Sequence, residues 1–115
     1  MRTKTFTHTI KYDGISDTFT HNLYLTTDNY ANNGSLAVIA MEVMEDGTEE
    51  YFDAITVNLP YGEVSEGCAY IDTNNCPWAE KMLKQHKFAK DTGYCAGSGF
   101  CTYPLYKFDL SKFNA

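Results

Sequence analysis

From Thr5 to Tyr12, the residues Phe6, His8, Ile10 and Tyr12 alternate with Thr7, Thr9 and Lys11. That period of two is what a half-buried strand requires. Asp13-Gly14 marks a turn. Phe19, His21, Leu23 and Leu25 then resume the alternation opposite Thr20, Asn22 and Tyr24. The polar run Thr26 to Ser35, with Asn32-Asn33-Gly34 near its end, predicts a loop. Leu36 to Met44 is a β-rich apolar run interrupted by Glu42, Glu45-Asp46-Gly47-Thr48 supplies a tight turn, and Glu49 to Leu59 returns as a strand. The two strands form a hairpin.

Pro60 to Gly67 reads as a loop and Ala69-Tyr70-Ile71-Asp72 as a short strand. Asn74-Asn75-Cys76-Pro77 has the composition of a helix start, because Asn caps and Pro suits the first helical position. Trp78, Met82, Leu83 and His86 make one apolar stripe, and Lys81, Lys84, Lys87 and Lys90 drift around the outer face, ordinarily as solvated charge. Gly93 to Gly99 predicts a loop, and Phe100 to Leu110 a last strand with Pro104 at an edge or bulge. Strands around one helix, joined by hairpins, predict an α+β fold. It has a mainly antiparallel sheet of about five to six strands and one principal helix over about residues 76–88.

The length of 115 residues fits a single domain spanning 1–115, and apolar residues at 43% suffice for a core. No segment has the apolar stretch of a leader or of a membrane span, so the expected compartment is the cytoplasm and no membrane is expected as partner. The four cysteines, Cys68, Cys76, Cys95 and Cys101, are then expected as thiols.

Charge changes the picture more than composition does. The net charge is −6, yet every Lys and Arg lies in residues 2–11 or 81–112, and thirteen Asp and Glu lie from Asp13 to Glu80 inclusive. The densest part is Glu42, Glu45, Asp46, Glu49, Glu50, Asp53, Glu63 and Glu66. Such segregation can simply keep a surface soluble, or it can present a strong local negative potential to a basic partner. The hairpin turn gathers Glu42, Glu45, Asp46, Glu49 and Glu50 at one end of the sheet.

Catalytic and metal chemistry find little support. The cysteine spacings of 7, 18 and 5 intervening residues contain no Cys-x-x-Cys knuckle. A zinc site from Cys68, Cys76, His86, Cys95 and Cys101 competes with the simpler account of small core thiols, and no cofactor is expected. Cys76 near a helix start could have a lowered pKa, but His86 lies ten residues on and cannot be its base from the same helix. The many carboxylates make any acid–base pair uninformative. The Gly93 to Gly99 stretch lacks the Lys-Ser/Thr ending of a phosphate loop. Direct nucleic-acid binding is disfavoured, because stacking tyrosines would sit in a field that repels phosphates. These features point to a binding protein and not to an enzyme.

Three segments carry a family likeness: Phe52-Asp53-Ala54-Ile55-Thr56-Val57-Asn58-Leu59, Ala69-Tyr70-Ile71-Asp72-Thr73-Asn74-Asn75-Cys76-Pro77-Trp78, and Ser98-Gly99-Phe100-Cys101-Thr102-Tyr103-Pro104-Leu105-Tyr106. Together they resemble a family of small uncharacterised proteins carried on plasmids, conjugative elements and prophages of Gram-positive bacteria. The resemblance covers residues 36–110, so residues 1–30 read as an added N-terminal β-hairpin. It implies a setting in which small acidic proteins often serve as anti-CRISPR or other anti-defence factors. Their targets, CRISPR effectors and restriction nucleases, have basic nucleic-acid channels.

The expected function is therefore an acidic inhibitor that occupies such a channel. Glu42, Glu45, Asp46, Glu49, Glu50 and Asp53, extended by Glu63 and Glu66, form its contact surface, and Tyr51 and Tyr61 its anchors. Asp72, Asn74, Asn75 and Trp78 are expected to hold the strand-to-helix corner. The alternative is a zinc-stabilised or oligomeric accessory module of phage replication or conjugation.

Overall fold

The computed structural model describes residues 4–12, 15–31, 34–59 and 64–113, with side chains from residue 20 onward. Two four-stranded antiparallel sheets make up the fold. The first is a meander of β1 (Lys4–Tyr12), β2 (Ile15–Asn29), β3 (Leu36–Val43) and β4 (Glu49–Ala54). The second has the order β5-β6-β8-β7, built from β5 (Thr56–Val57), β6 (Cys68–Ile71), β7 (Ala89–Ser98) and β8 (Cys101–Phe108). One helix, α1 (Ala79–Gln85), lies between β6 and β7 in the chain. The α+β class, the dominance of antiparallel strands and the single principal helix are as the sequence predicts. Among the described residues the strand count is eight, and the strands form two sheets where one was expected.

The extra strands have identifiable origins. Glu49 to Leu59 reads as one strand because it contains no Gly or Pro before Pro60 to mark a corner. The chain nevertheless leaves the first sheet after Ala54 and joins the second at Thr56. Ile55 is the joint: its N–H donates to Val38 O at 3.0 Å, while its carbonyl accepts from Asp72 N at 2.9 Å. Thr56 completes the corner, its Oγ1 accepting from Val38 N at 3.1 Å and meeting the Tyr30 hydroxyl at 2.9 Å. Both backbone groups of Ile55 are thus satisfied, one from each sheet, and its side chain is fully buried.

The glycine-rich stretch expected as a loop belongs mostly to β7. Gly93 adopts φ +87 and makes a bulge between Asp91 and Cys95, with its N–H bonded to Asp91 Oδ1 at 2.9 Å. Pro104 stands opposite Cys95 at that bulge, beyond the part of β8 that pairs with β6, where its missing N–H costs no ladder bond. The loop expected from Thr26 also begins later, since β2 stays paired with β3 through Asn29. The expected turns at Asp13-Gly14 and Asn32-Asn33, and Pro60 to Glu63 of the expected loop, lie outside the described residues.

The helix is shorter than the predicted span of residues 76–88. Asp72 holds the preceding residues in a turn: its carbonyl accepts from Cys76 N at 2.7 Å, and its carboxylate binds Asn75 N and Nδ2. At the far end Lys87 takes φ +57, Phe88 N reaches Leu83 O, and Lys87 N reaches Lys84 O. This pair of bonds is a Schellman stop, with lysine at the left-handed position that glycine usually fills. Lys90, expected to continue the helical lysine series, therefore lies on β7.

A single core joins the parts. Leu23, Leu25, Val38 and Ala40 from the first sheet pack in one cluster with Ile71, Met82, Leu83, Tyr106 and Phe108. The buried Tyr106 hydroxyl donates to Glu80 at 2.5 Å and ties α1 to β8. Replacing Ile55 by Ala should cost about 3 kcal/mol, from lost burial and a cavity at the joint, read by urea unfolding. Lys87→Gly should instead raise stability by roughly 1 kcal/mol, by removing the cost of a left-handed β-carbon.

Candidate functional site

The β3–β4 hairpin turns on Glu45-Asp46-Gly47-Thr48, as the sequence predicts. Asp46 Oδ1 accepts from Thr48 N at 3.0 Å and Thr48 Oγ1 at 2.6 Å, and these bonds hold its carboxyl below the usual range. Gly47, with φ +87, allows the reversal. Glu42 lies opposite Glu50 in the ladder and Val43 opposite Glu49. Like charges facing each other are unfavourable unless something offsets them. Here His21 Nδ1 meets Glu42 Oε2 at 2.7 Å, drawing Glu42 toward β2.

The expected acids divide into two groups. Glu45, Asp46, Glu49 and Glu50 are exposed at the hairpin end. Glu42 is half-buried against His21, and Asp53, also half-buried, turns toward Cys76. Glu66 is exposed in the turn that leads into β6 of the second sheet, away from the hairpin ladder. Tyr61 and Glu63 lie outside the described residues. No Lys or Arg forms an ion pair with these acids among the described residues, in which His21–Glu42 is the single salt bridge.

An apolar row runs beside the free acids. Tyr24 faces Met41, and Met41 faces Tyr51, so the three share the face opposite the core. Tyr51 is 63% exposed and Met44, at the turn, 38%. The Tyr24 hydroxyl bonds to Glu49, and this bond, more than burial, raises its pKa. The sequence pattern singles out Tyr51 but misses Tyr24, Met41 and Met44. The signal was present at Tyr24, an aromatic in the polar half of the Thr20, Asn22, Tyr24 series.

The corner residues have distinct parts. Asp72 bonds to Asn75, Asn74 is exposed, and half-buried Trp78 packs edge-on to Phe52 at 5.3 Å between ring centroids. Phe52 in turn lies 4.5 Å from the His21 ring. The helix N-cap is Trp78, which makes no side-chain capping bond, so neither Asn caps it.

Cys76 contradicts the lowered pKa that a helix start would give it. Its thiol is fully buried, bonds to Ala54 O at 3.5 Å, and is pushed up to about 12 by burial first and by Asp53 second. Cys68 is also buried, Cys95 is exposed and Cys101 half-buried. No three His, Cys, Asp or Glu groups come together to hold a metal among the described residues, and His86 packs against Phe88 instead. No helix among those residues is long and apolar enough to cross a membrane.

Cys76 and Tyr106 are acids whose folded-state pKa is raised, Tyr106 by burial and by its bond to Glu80. As pH rises, the unfolded chain therefore loses these protons first. The stability they provide is intact below the ordinary thiol value of 9.0 and is progressively lost as pH climbs toward about 12. Urea unfolding at mildly and strongly alkaline pH should show that decline, and Cys76→Ala should make it shallower. An unchanged slope in the variant would contradict the assignment.

Comparison with known proteins adds one finding. No curated protein and no solved structure matches the chain. Residues 24–115, starting at Tyr24 within β2, match the family described as domain of unknown function (DUF4313), consistent with a resemblance to an uncharacterised family. The chain therefore belongs to the DUF4313 family.

Proposed function

We propose that this protein is a binding protein of a mobile genetic element, an anti-CRISPR or related anti-defence inhibitor that occupies a basic nucleic-acid surface of a host nuclease. The observation that carries the reading is the end of the β3–β4 hairpin. There, exposed acids without cationic partners among the described residues lie beside an exposed tyrosine and methionine. Acids alone would steer a basic partner but hold it weakly, because exposed pairs contribute little and are screened. Tyr51 and Met44 add apolar area for a buried contact, so charge sets the approach and the row Tyr24–Met41–Tyr51 the residence. Asp53 and Glu42 serve the fold in this reading, and the contact surface narrows to Glu45, Asp46, Glu49, Glu50 and Tyr51.

The test is a pull-down with tagged protein from a host carrying CRISPR and restriction systems, at low and high salt. Capture of a nuclease or its guide complex, weakening as salt rises, is expected. The triple variant Glu45→Lys, Glu49→Lys, Glu50→Lys should abolish that capture while the chain stays folded, with thermal stability lowered only slightly by loss of the Tyr24–Glu49 bond, because all three acids are exposed. Asp46 is left in place because it ties the turn. Tyr51→Ala should weaken capture about tenfold or more. Full capture by the folded triple variant would overturn the site.

A further inference from the structure

The lysines, scattered in sequence, converge in space. An open cleft of about 1090 Å³ is lined by Lys84 in the last turn of α1, Lys87 just beyond its end, Lys90 on β7, Lys107 on β8 and Lys112 near the C-terminal end. It shares no lining residue with the shallow depression at the acidic hairpin. None of the five has an acidic partner within salt-bridge distance among the described residues. The two acids of the lining are already engaged. Asp91 accepts from Gly93 N, and Asp109 accepts from Ser111 N and Oγ.

Two features of the cleft work against stability. Lys90 stands directly opposite Lys107 in the β7–β8 ladder, a like-charge pair on one face. Lys87 occupies a left-handed position at φ +57, where glycine would be easier, and its carbonyl accepts from Lys112 Nζ at 2.8 Å. Costs of this kind gather where a ligand supplies compensation. The same β7–β8 hairpin presents aromatic surface. Gly99-Phe100 forms its two-residue tip, Phe100 is wholly exposed (110%), and Tyr94 is 73% exposed.

We infer that the lysine cleft and the tip of the β7–β8 hairpin form a binding site for single-stranded nucleic acid. The lysines take the phosphodiester backbone, and Phe100 and Tyr94 stack on bases. The cleft lies at the foot of the hairpin and Phe100 at its tip, beyond the six β8 residues or roughly 20 Å from Lys107 to Cys101, so one extended strand runs along the hairpin to meet both. An acidic peptide would use the lysines but would leave Phe100 without a role. Average charge argues against nucleic acid, but screening over about 8 Å at physiological salt lets separate charged regions act separately. The molecule extends 39 × 38 × 23 Å, which leaves room for two such regions. This site does not depend on the inhibitor reading, since it uses other residues and a different assay.

The test is fluorescence anisotropy of labelled single-stranded RNA and DNA 20-mers with the full chain, across a salt series. Binding that weakens with salt is expected, and the variant Lys90→Ala, Lys107→Ala should lose at least tenfold. Its slope of log affinity against log salt should be shallower by about 1.4, because two phosphate contacts are gone. Its thermal midpoint should hold or rise, since a like-charge pair is removed. Lys87→Gly gives a second reading, with higher stability but weaker binding. Phe100→Ala should lose about fivefold or more for single strands while binding heparin unchanged. Absence of binding by the native chain at low salt would overturn the proposal. So would unchanged affinity in both lysine variants, or polyglutamate binding as tightly as RNA with Phe100→Ala indifferent to either.

Discussion

The fold depends on one residue's backbone serving two sheets. Ile55 gives its N–H to β3 and its carbonyl to the turn after β6, so both four-stranded sheets are fixed at a single residue. An unpaired buried backbone group would cost about 1–3 kcal/mol, so the joint has little freedom to shift register. Thr56 then caps the arrangement with a hydroxyl bonded to Val38 N and Tyr30 Oη. Because the side chains of both sheets share one core cluster, the joint sets how β4 departs and where the acidic turn stands.

From that corner the charged groups separate. The first sheet carries the acidic hairpin, and the second carries the lysine-lined cleft at the foot of β7 and β8. In the chain, α1 and β7 follow one another directly, which brings Lys84 and Lys87 near Lys90. Lys107 joins only because β8 pairs back on β7, and Lys112 because the chain turns again after Phe108. A net charge of −6 thus conceals two regions of opposite sign. The hairpin end has no Lys or Arg partner among the described residues and the cleft has two acids against five lysines, so the local fields exceed what the total suggests.

Much of this was legible in the sequence, and the failures follow a pattern. Period-two alternation located β1 and the middle of β2, a β-rich apolar run located β3, and the Glu45 to Thr48 turn located the β3–β4 hairpin, because each signal is local. The break at Ile55 was not legible, since nothing at that residue opposes continued extension. Its cause is the pairing of Val38 and Asp72, 17 residues away on either side. Gly93 to Gly99 misled because glycine signals both loops and bulged strands, and only the partner β8 decides between them. The helix overran because the Asx turn at Asp72 and Asn75 imitates a cap, while Lys87 ends the helix without the glycine that usually announces it. Of the candidate site, the sequence supplied the free acids and Tyr51. It misplaced Asp53, whose neighbour Cys76 comes from a distant turn.

The order β5-β6-β8-β7 has a consequence for how the chain acquires its structure. Each strand of the first sheet pairs with the one made just before it, so that meander can assemble as synthesis proceeds. The second sheet cannot. β6 and β7 flank β8, which is the last strand of this sheet to be made, and they have no mutual ladder to form while they wait. Until β8 emerges, β6 is paired only with the two residues of β5, and its other edge leaves the wholly buried-type sequence Cys68-Ala69-Tyr70-Ile71 open to its surroundings. Nascent chains with such edges are prone to pair wrongly with one another. The final insertion of β8 therefore closes the second sheet, secures α1 through Tyr106 and ends that hazard in a single late step.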